Sequence, residues 1–151
     1  MRRFKQEITD PKEIDSILEK QQICRLAINT DDFPYIVPLN YGYHDNSLYF
    51  HCAKEGRKID LLKQDNRVGF EIEGEYQLVP APQTCDWSSR YASVIGTGSI
   101  EFVEDEERKT AYLDLLMRQH GATEIHFSQR ALQKVMVLKL TIENLTAKRN
   151  A

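Results

Sequence analysis

Residues 48–62 read Leu-Tyr-Phe-His-Cys-Ala-Lys-Glu-Gly-Arg-Lys-Ile-Asp-Leu-Leu, and their period changes once. Leu48, Phe50 and Cys52 alternate with Tyr49, His51 and Ala53, the period of a strand with two unlike faces. Beyond Gly56, Ile59 and Leu62 lie three apart, as the buried stripe of a helix requires. The stretch predicts a strand, a short basic turn and a helix start. Lys54, Arg57 and Lys58 gather at that start, where unpaired N–H groups already carry about half a positive charge. Three cations there work against the helix dipole, and a bound anion relieves the conflict. Phosphate is the natural candidate; the competing reading is a solvated basic turn. The chain contains no Gly-Lys-Ser/Thr phosphate loop and no Gly-x-Gly-x-x-Gly, which argues against P-loop hydrolysis and a Rossmann crevice.

The 151 residues suffice for one domain, 1–151, with a core of its own. A net charge of −3 gives no overall attraction to nucleic acid or an anionic membrane, so any basic site is local. No apolar run approaches the length of a membrane span. Met1–Glu7 is charged with no apolar stretch after it, unlike a signal peptide. Cys24, Cys52 and Cys85 are odd in number, widely spaced and form no Cys-x-x-Cys. That speaks against a disulfide framework or a zinc site and suits a reducing cytoplasm. Cys24 and Cys52 read as small buried apolar residues.

Upstream, Asp10 is placed to cap a helix, with Pro11 at its first position and Glu13 completing a capping box. Ile14, Ile17 and Leu18 give that helix its stripe, and it ends near Gln21. Cys24, Leu26 and Ile28 alternate in a first strand, and Asp31-Asp32 turns the chain. Residues 35–43 form a second strand, with Val37, Leu39, Tyr41 and Tyr43 on one face and Ile36, Pro38, Asn40 and Gly42 on the other. Pro38 has no N–H to give a ladder, so it marks an edge, a bulge or the approach of something else to the backbone. Downstream, Val68, Phe70 and Ile72 continue the β pattern. Gly74, Pro80, Pro82 and the polar run Asp86–Ser89 make 74–90 a partly extended loop. Tyr91 to Val103 is strand-like. Glu104–Glu107 loads a helix start with acid, Tyr112, Leu115 and Leu116 form its stripe, and Gly121 stops it. Ser128 caps a short helix to about Lys134, and Val135–Leu145 is a closing strand. About six strands and three to four helices, mostly in hairpin order, predict a mainly β protein. Its expected form is a small antiparallel barrel with helices outside.

His51 faces away from the Phe50 side, toward solvent or a ligand beside the basic turn, where an imidazole can donate a hydrogen bond or move a proton. An ordinary surface histidine is the alternative. His44, His120 and His126 have structural explanations, and the four histidines lack metal-ligand spacing, so no metal is expected. Cys85 is the most plausible reactive thiol, with nothing nearby in sequence to activate it. Ser88 and Ser89 lack a Gly-x-Ser-x-Gly context. Trp87, Arg90 and Tyr91 suit a flat aromatic ligand, or Trp87 simply anchors its loop. These side chains fit a phosphorylated aromatic cofactor better than unaided chemistry.

Three blocks then carry a resemblance: Val37-Pro38-Leu39-Asn40-Tyr41, Leu48 to Lys58, and Cys85-Asp86-Trp87-Ser88-Ser89-Arg90-Tyr91-Ala92-Ser93-Val94-Ile95-Gly96. In this order they resemble the pyridoxamine 5′-phosphate oxidase-like flavoproteins, most closely the nitroimidazole-resistance (Nim) branch, over about residues 2–147. Ala92 departs from the pattern, standing where that branch more often has a basic residue.

The resemblance implies an antiparallel split β-barrel homodimer with FMN in two clefts at the subunit interface. Arg57 and Lys58 would hold the phosphate, with Cys52, Ala53 and Lys54 framing it. Val37, Pro38, Leu39 and Asn40 would run beside the isoalloxazine ring, which accounts for the proline. His51 would sit near flavin or substrate as the catalytic proton donor. Arg90, Tyr91 and Ser93 would complete the cleft, from this subunit or its partner. The activity implied is two-electron transfer through FMN from a nicotinamide or other cellular donor to a small acceptor, a nitroaromatic compound in that branch. Two rivals belong to other classes. One is a module that binds flavin or haem without turnover, with His51 as an axial ligand. The other is a barrel binding single-stranded nucleic acid through Trp87, Tyr91 and Arg90, which the acidic net charge disfavours.

Overall fold

The computed structural model describes residues 4–150; of the N-terminal stretch read above, Met1–Arg3 lie outside them. Its strands are β1 (Glu7–Ile8), β2 (Ile23–Ile28), β3 (Tyr35–Asn40), β4 (Gly42–His44), β5 (Ser47–Ala53), β6 (Arg67–Val79), β7 (Ser88–Val103) and β8 (Val135–Asn150). They form one antiparallel sheet in the order β3-β2-β6-β7-β8-β5-β4, with β1 added to β8. The sheet curls until β3 lies near β5 without laddering to it, so the barrel is split there. Inside, Leu26, Ile28, Phe50, Ile72, Val94, Leu138 and Leu140 are completely buried. They are the inward members of alternating strands, as a barrel wall requires.

Four α-helices pack against the barrel: α1 (Pro11–Lys20), α2 (Arg57–Gln64), α3 (Glu106–Gln119) and α4 (Gln129–Lys134). Short-range chemistry starts three of them. The side chains of Asp10, Asp105 and Ser128 accept from the N–H groups of Lys12, Arg108 and Ala131, satisfying donors the first turn leaves orphaned. A second apolar cluster, Val103, Leu113, Leu132 and Val137, fastens α3 and α4 to the far side of β7 and β8. Lys109 is buried in this region, and its Nζ donates to the Leu132 and Val135 carbonyls at 2.6 and 2.8 Å. A cation there satisfies the carbonyls that close α4.

The barrel class expected from sequence is present, with eight strands rather than about six. The two additional strands are β1, which pairs with β8, and β4, split off from the run 35–43. Residues 74–90 are mostly strand: β6 runs on to Val79 and β7 begins at Ser88, so the two project as a hairpin arm with a register shift between Glu73 and Tyr76. The run 35–43 is not one strand either. It breaks at Tyr41, a fully buried residue whose hydroxyl donates to the Leu18 carbonyl at 2.6 Å. The closing strand also runs five residues past Leu145, to Asn150.

The break admits α3. A Cβ on Gly42 would stand 2.7 Å from the Leu116 Cα, so only glycine lets the helix backbone approach this closely. One turn earlier the Tyr112 ring stacks on Tyr49 at 4.3 Å between centroids. Tyr49 is thereby buried, and of the outward residues of β5 only His51 and Ala53 stay open.

Candidate functional site

Where β5 ends, the chain passes through Gly56 at φ 125°, a conformation that favours glycine, and enters α2. Unlike the other three helices, α2 has no side-chain cap, so nothing in the turn occupies its first N–H groups. Ile59 and Leu62 are buried as their spacing predicts, which turns Arg57 and Lys58 outward at the helix start. Among the described residues, Lys54, Arg57 and Lys58 take part in no ion pair.

Beside this turn runs β3. It pairs with β2 on one side, and among the described residues no strand hydrogen-bonds to its other edge. Pro38 therefore sits in an edge strand, opposite Arg25. Val37 and Leu39 lean on the core, while Ile36, Pro38 and Asn40 face outward. The Arg57 guanidinium lies 4.7 Å above the Tyr35 ring, linking the start of α2 to the start of β3.

His51 opens at the same place. Partial desolvation, then the charges of His120 and Lys58, hold its imidazole pKa below the ordinary 6.5. It is therefore neutral at pH 7 and can accept a proton or donate its ring N–H. Cys52, half-buried beside it, is pushed the other way by desolvation, partly offset by Lys58; it is thiol rather than thiolate at neutral pH. The His51 shift has a consequence for stability. The unfolded chain binds the proton more readily than the folded one, so stability is lost as pH falls through 6.5 toward the lower folded value. Thermal melts between pH 7 and 5 are expected to show a shallower loss for His51→Gln than for the unsubstituted protein. Parallel curves would contradict this.

Gln119 and His120, the second read from sequence only as the end of a helix, hold the end of β3. The Gln119 side chain accepts from the Tyr43 N–H at 2.7 Å and donates to the Leu18 and Gln21 carbonyls at 3.1 and 2.7 Å. Its neighbour His120 places Nε2 3.1 Å from the Tyr41 carbonyl. A carbonyl only accepts, so that nitrogen carries the proton. Together these side chains buckle α1, α3 and the β3–β4 break. No local pattern announces them, because each acts across about 80 to 100 residues of chain.

The structure brings Val37 to Asn40, His51 to Lys54, Arg57 and Lys58 to one side of the molecule. Arg90, Tyr91 and Ser93 lie elsewhere in the same chain, on β7, with β2 and β6 between them and β3. Tyr91 and Ser93 alternate onto the outer face of the sheet, where Lys148 lies 5.3 Å over the Tyr91 ring. Arg90 turns to the opposite side and lines a cavity of about 550 Å³ with Glu13, Lys20, Gln77 and Arg149. Ala92 is buried beside Gly74, so its side chain belongs to the core. Trp87 donates its indole N–H to the Ala81 carbonyl at 2.9 Å, anchoring the tip of the arm.

The outer face itself is uncovered. Continuous rows cross it from β3 to β8, one being Pro38, Arg25, Glu71, Ile95 and Thr146, the next Ile36, Ala27, Gly69, Thr97 and Asn144. Ile36, Ile95 and Ile23 are 64%, 53% and 49% exposed on it. Tyr76 and Leu78 extend the apolar strip along the arm. The three isoleucines stand on three different strands of that face, β3, β2 and β7.

Comparison with known proteins bears on the whole chain. A crystal structure of a proposed 5-nitroimidazole antibiotic resistance protein from Bacteroides thetaiotaomicron is 34% identical, covers 95% of this chain and 86% of its own, and superposes with a TM-score of 0.85. The FAD and heme binding protein of Mycobacterium smegmatis has the same fold at 21% identity, with 96% of this chain and 73% of that one covered and a TM-score of 0.85. An uncharacterized protein of Rhizobium meliloti (strain 1021) is 32% identical over 88 residues, 49% of this chain and 58% of that protein's length. Residues 10–149 match the family described as pyridoxamine 5′-phosphate oxidase, and the chain belongs to it.

Proposed function

We propose that this protein is an FMN-dependent oxidoreductase that acts as a homodimer on a small molecule. The observation that carries the reading is the cation cluster Lys54, Arg57 and Lys58. Among the described residues it is not neutralised by any ion pair, and it lies at the one α-helix start left without a side-chain cap. Such a donor set fits a phosphate dianion. Arg57 and Lys58 would hold it, framed by Cys52, Ala53 and Lys54. The free edge of β3 at Val37–Asn40 would flank the flat ring, with Pro38 offering no competing N–H.

FMN, when bound, supplies two-electron chemistry that no side chain of this protein can perform. The protein binds the phosphate, orients the ring and handles the proton, for which neutral His51 is suitably placed. A nicotinamide is the expected electron donor. A nitroaromatic acceptor is the first to test, because the 34% identical relative is a proposed 5-nitroimidazole resistance protein. No nucleic-acid or membrane partner is part of the proposal, and the setting is the cytoplasm.

The uncovered sheet face supports the dimer. A second copy packed on it by a two-fold axis would bury Ile23, Ile36 and Ile95. Tyr91 and Ser93 share that face with Pro38 and Asn40, so the same packing can deliver the partner's copies of Tyr91 and Ser93 to this chain's cleft. The test of the catalytic assignment is His51→Ala. Turnover is expected to fall about 100-fold, the ordinary worth of a general acid–base group, with FMN affinity changed far less. Unchanged rates with every acceptor tried would remove His51 from the chemistry.

A further inference from the structure

Tyr35 is the first residue of β3, held opposite Ile28 of β2, and its ring packs against the core. The Arg57 guanidinium carbon lies 4.7 Å from the centre of that ring, well inside cation–π range. The contact joins the edge strand to the first residue of α2. A contact with a ring face takes none of the hydrogen-bond acceptors that a guanidinium can meet. The five guanidinium N–H donors radiate in the plane and remain available to a bidentate acceptor. Among the described residues, Arg57 meets no carboxylate, so those donors are not taken.

We infer that Tyr35 is a positioning residue: its ring face holds the Arg57 guanidinium flat, with the donor edge presented to the phosphate of the bound cofactor. The inference rests on the flavin reading above and adds a determinant of preference for the phosphorylated over the unphosphorylated ligand. An unsupported arginine side chain has many rotamers to lose on binding, and a stack that fixes it in advance lowers that cost. The ring face matters here and the hydroxyl does not. Phenylalanine preserves the device, whereas leucine keeps much of the apolar bulk and removes it.

The experiment is a pair of fluorescence titrations, with FMN and with riboflavin, on the unsubstituted protein, Tyr35→Phe, Tyr35→Leu, Arg57→Ala and the double variant Tyr35→Leu/Arg57→Ala. Far-ultraviolet circular dichroism confirms that each is folded. Tyr35→Leu is expected to lower the FMN-over-riboflavin preference roughly fivefold, the size of one exposed cation–π contact. Riboflavin affinity should stay within about twofold, below the size of that contact, and Tyr35→Phe should match the unsubstituted protein. In the Arg57→Ala background the leucine substitution should have no further effect on the preference. A Tyr35→Leu protein with the original preference, or an equal loss with and without Arg57, overturns the inference while the phosphate site stands. An unsubstituted protein that takes up neither ligand, or does not prefer FMN, overturns the phosphate reading and this inference together, before any variant is compared.

Discussion

Replacing Arg57 and Lys58 together by alanine is expected to strip FMN from the protein and leave the fold intact. Each side chain would give the phosphate a charge-assisted hydrogen bond, worth about 1.5–3 kcal/mol. Losing both costs about 3–6 kcal/mol, or roughly 10²- to 10⁴-fold in affinity. Stability should barely move, because Arg57 is exposed, Lys58 only half-buried, and neither is ion-paired among the described residues. The substitution also removes one of the charges that hold the His51 pKa down, so the imidazole should titrate at higher pH in the double variant. Flavin retained at one per chain would place the phosphate elsewhere.

Ile95→Asp is expected to turn a dimer into monomers. Ile95 is half-exposed in the middle of the uncovered face, flanked by Glu71 on β6 and Thr146 on β8. Burying the exposed half of an isoleucine side chain is worth about 1 kcal/mol, and a carboxylate sealed in its place adds a desolvation penalty of at least about 1 kcal/mol. A two-fold interface contains the substitution twice. The combined loss is at least about 4 kcal/mol, or roughly 1,000-fold in the dimer dissociation constant. Glu71 sharpens the effect, since it already carries a negative charge next to the site, balanced by Arg25 at 2.9 Å. Sedimentation over a range of concentrations reads the result. The monomer should also lose flavin, because the cleft would lack its partner's side. An undiminished dimer would move the interface to another face.

What was legible in the chain was local. Asp10, Pro11 and Ser128 declare helix starts by their own hydrogen-bonding chemistry, and the structure uses both caps. Alternation in 48–53, followed by the change of period after Gly56, located the basic turn, because a strand and a helix leave different imprints within a few residues. The arm was hidden for the converse reason. Gly74, Pro80 and Pro82 look like loop, and what makes 76–79 a strand is pairing with 88–91. The break at Tyr41 was invisible because the alternation of Val37, Leu39, Tyr41 and Tyr43 runs straight through it. Contacts from α1 and α3, at Leu18, Leu116 and His120, decide it instead.

The candidate site divides along the same line. Lys54, Arg57 and Lys58 could be read as a site from their place at a helix start. Tyr35, Gln119 and His120 carry no signature in their own neighbourhoods; they matter through what they touch. Cys52, a small buried apolar residue by its sequence pattern, is half-buried against the core, with its thiol pKa raised by desolvation beside the turn.

The most direct test of a flavin site is the absorbance spectrum of the purified protein, repeated on the supernatant after heat denaturation. The expected result is a pair of bands in the blue and near-ultraviolet that passes into the supernatant as FMN, or that develops to one flavin per chain when FMN is added. A Soret band, or a colourless protein that takes up no added FMN, would contradict it.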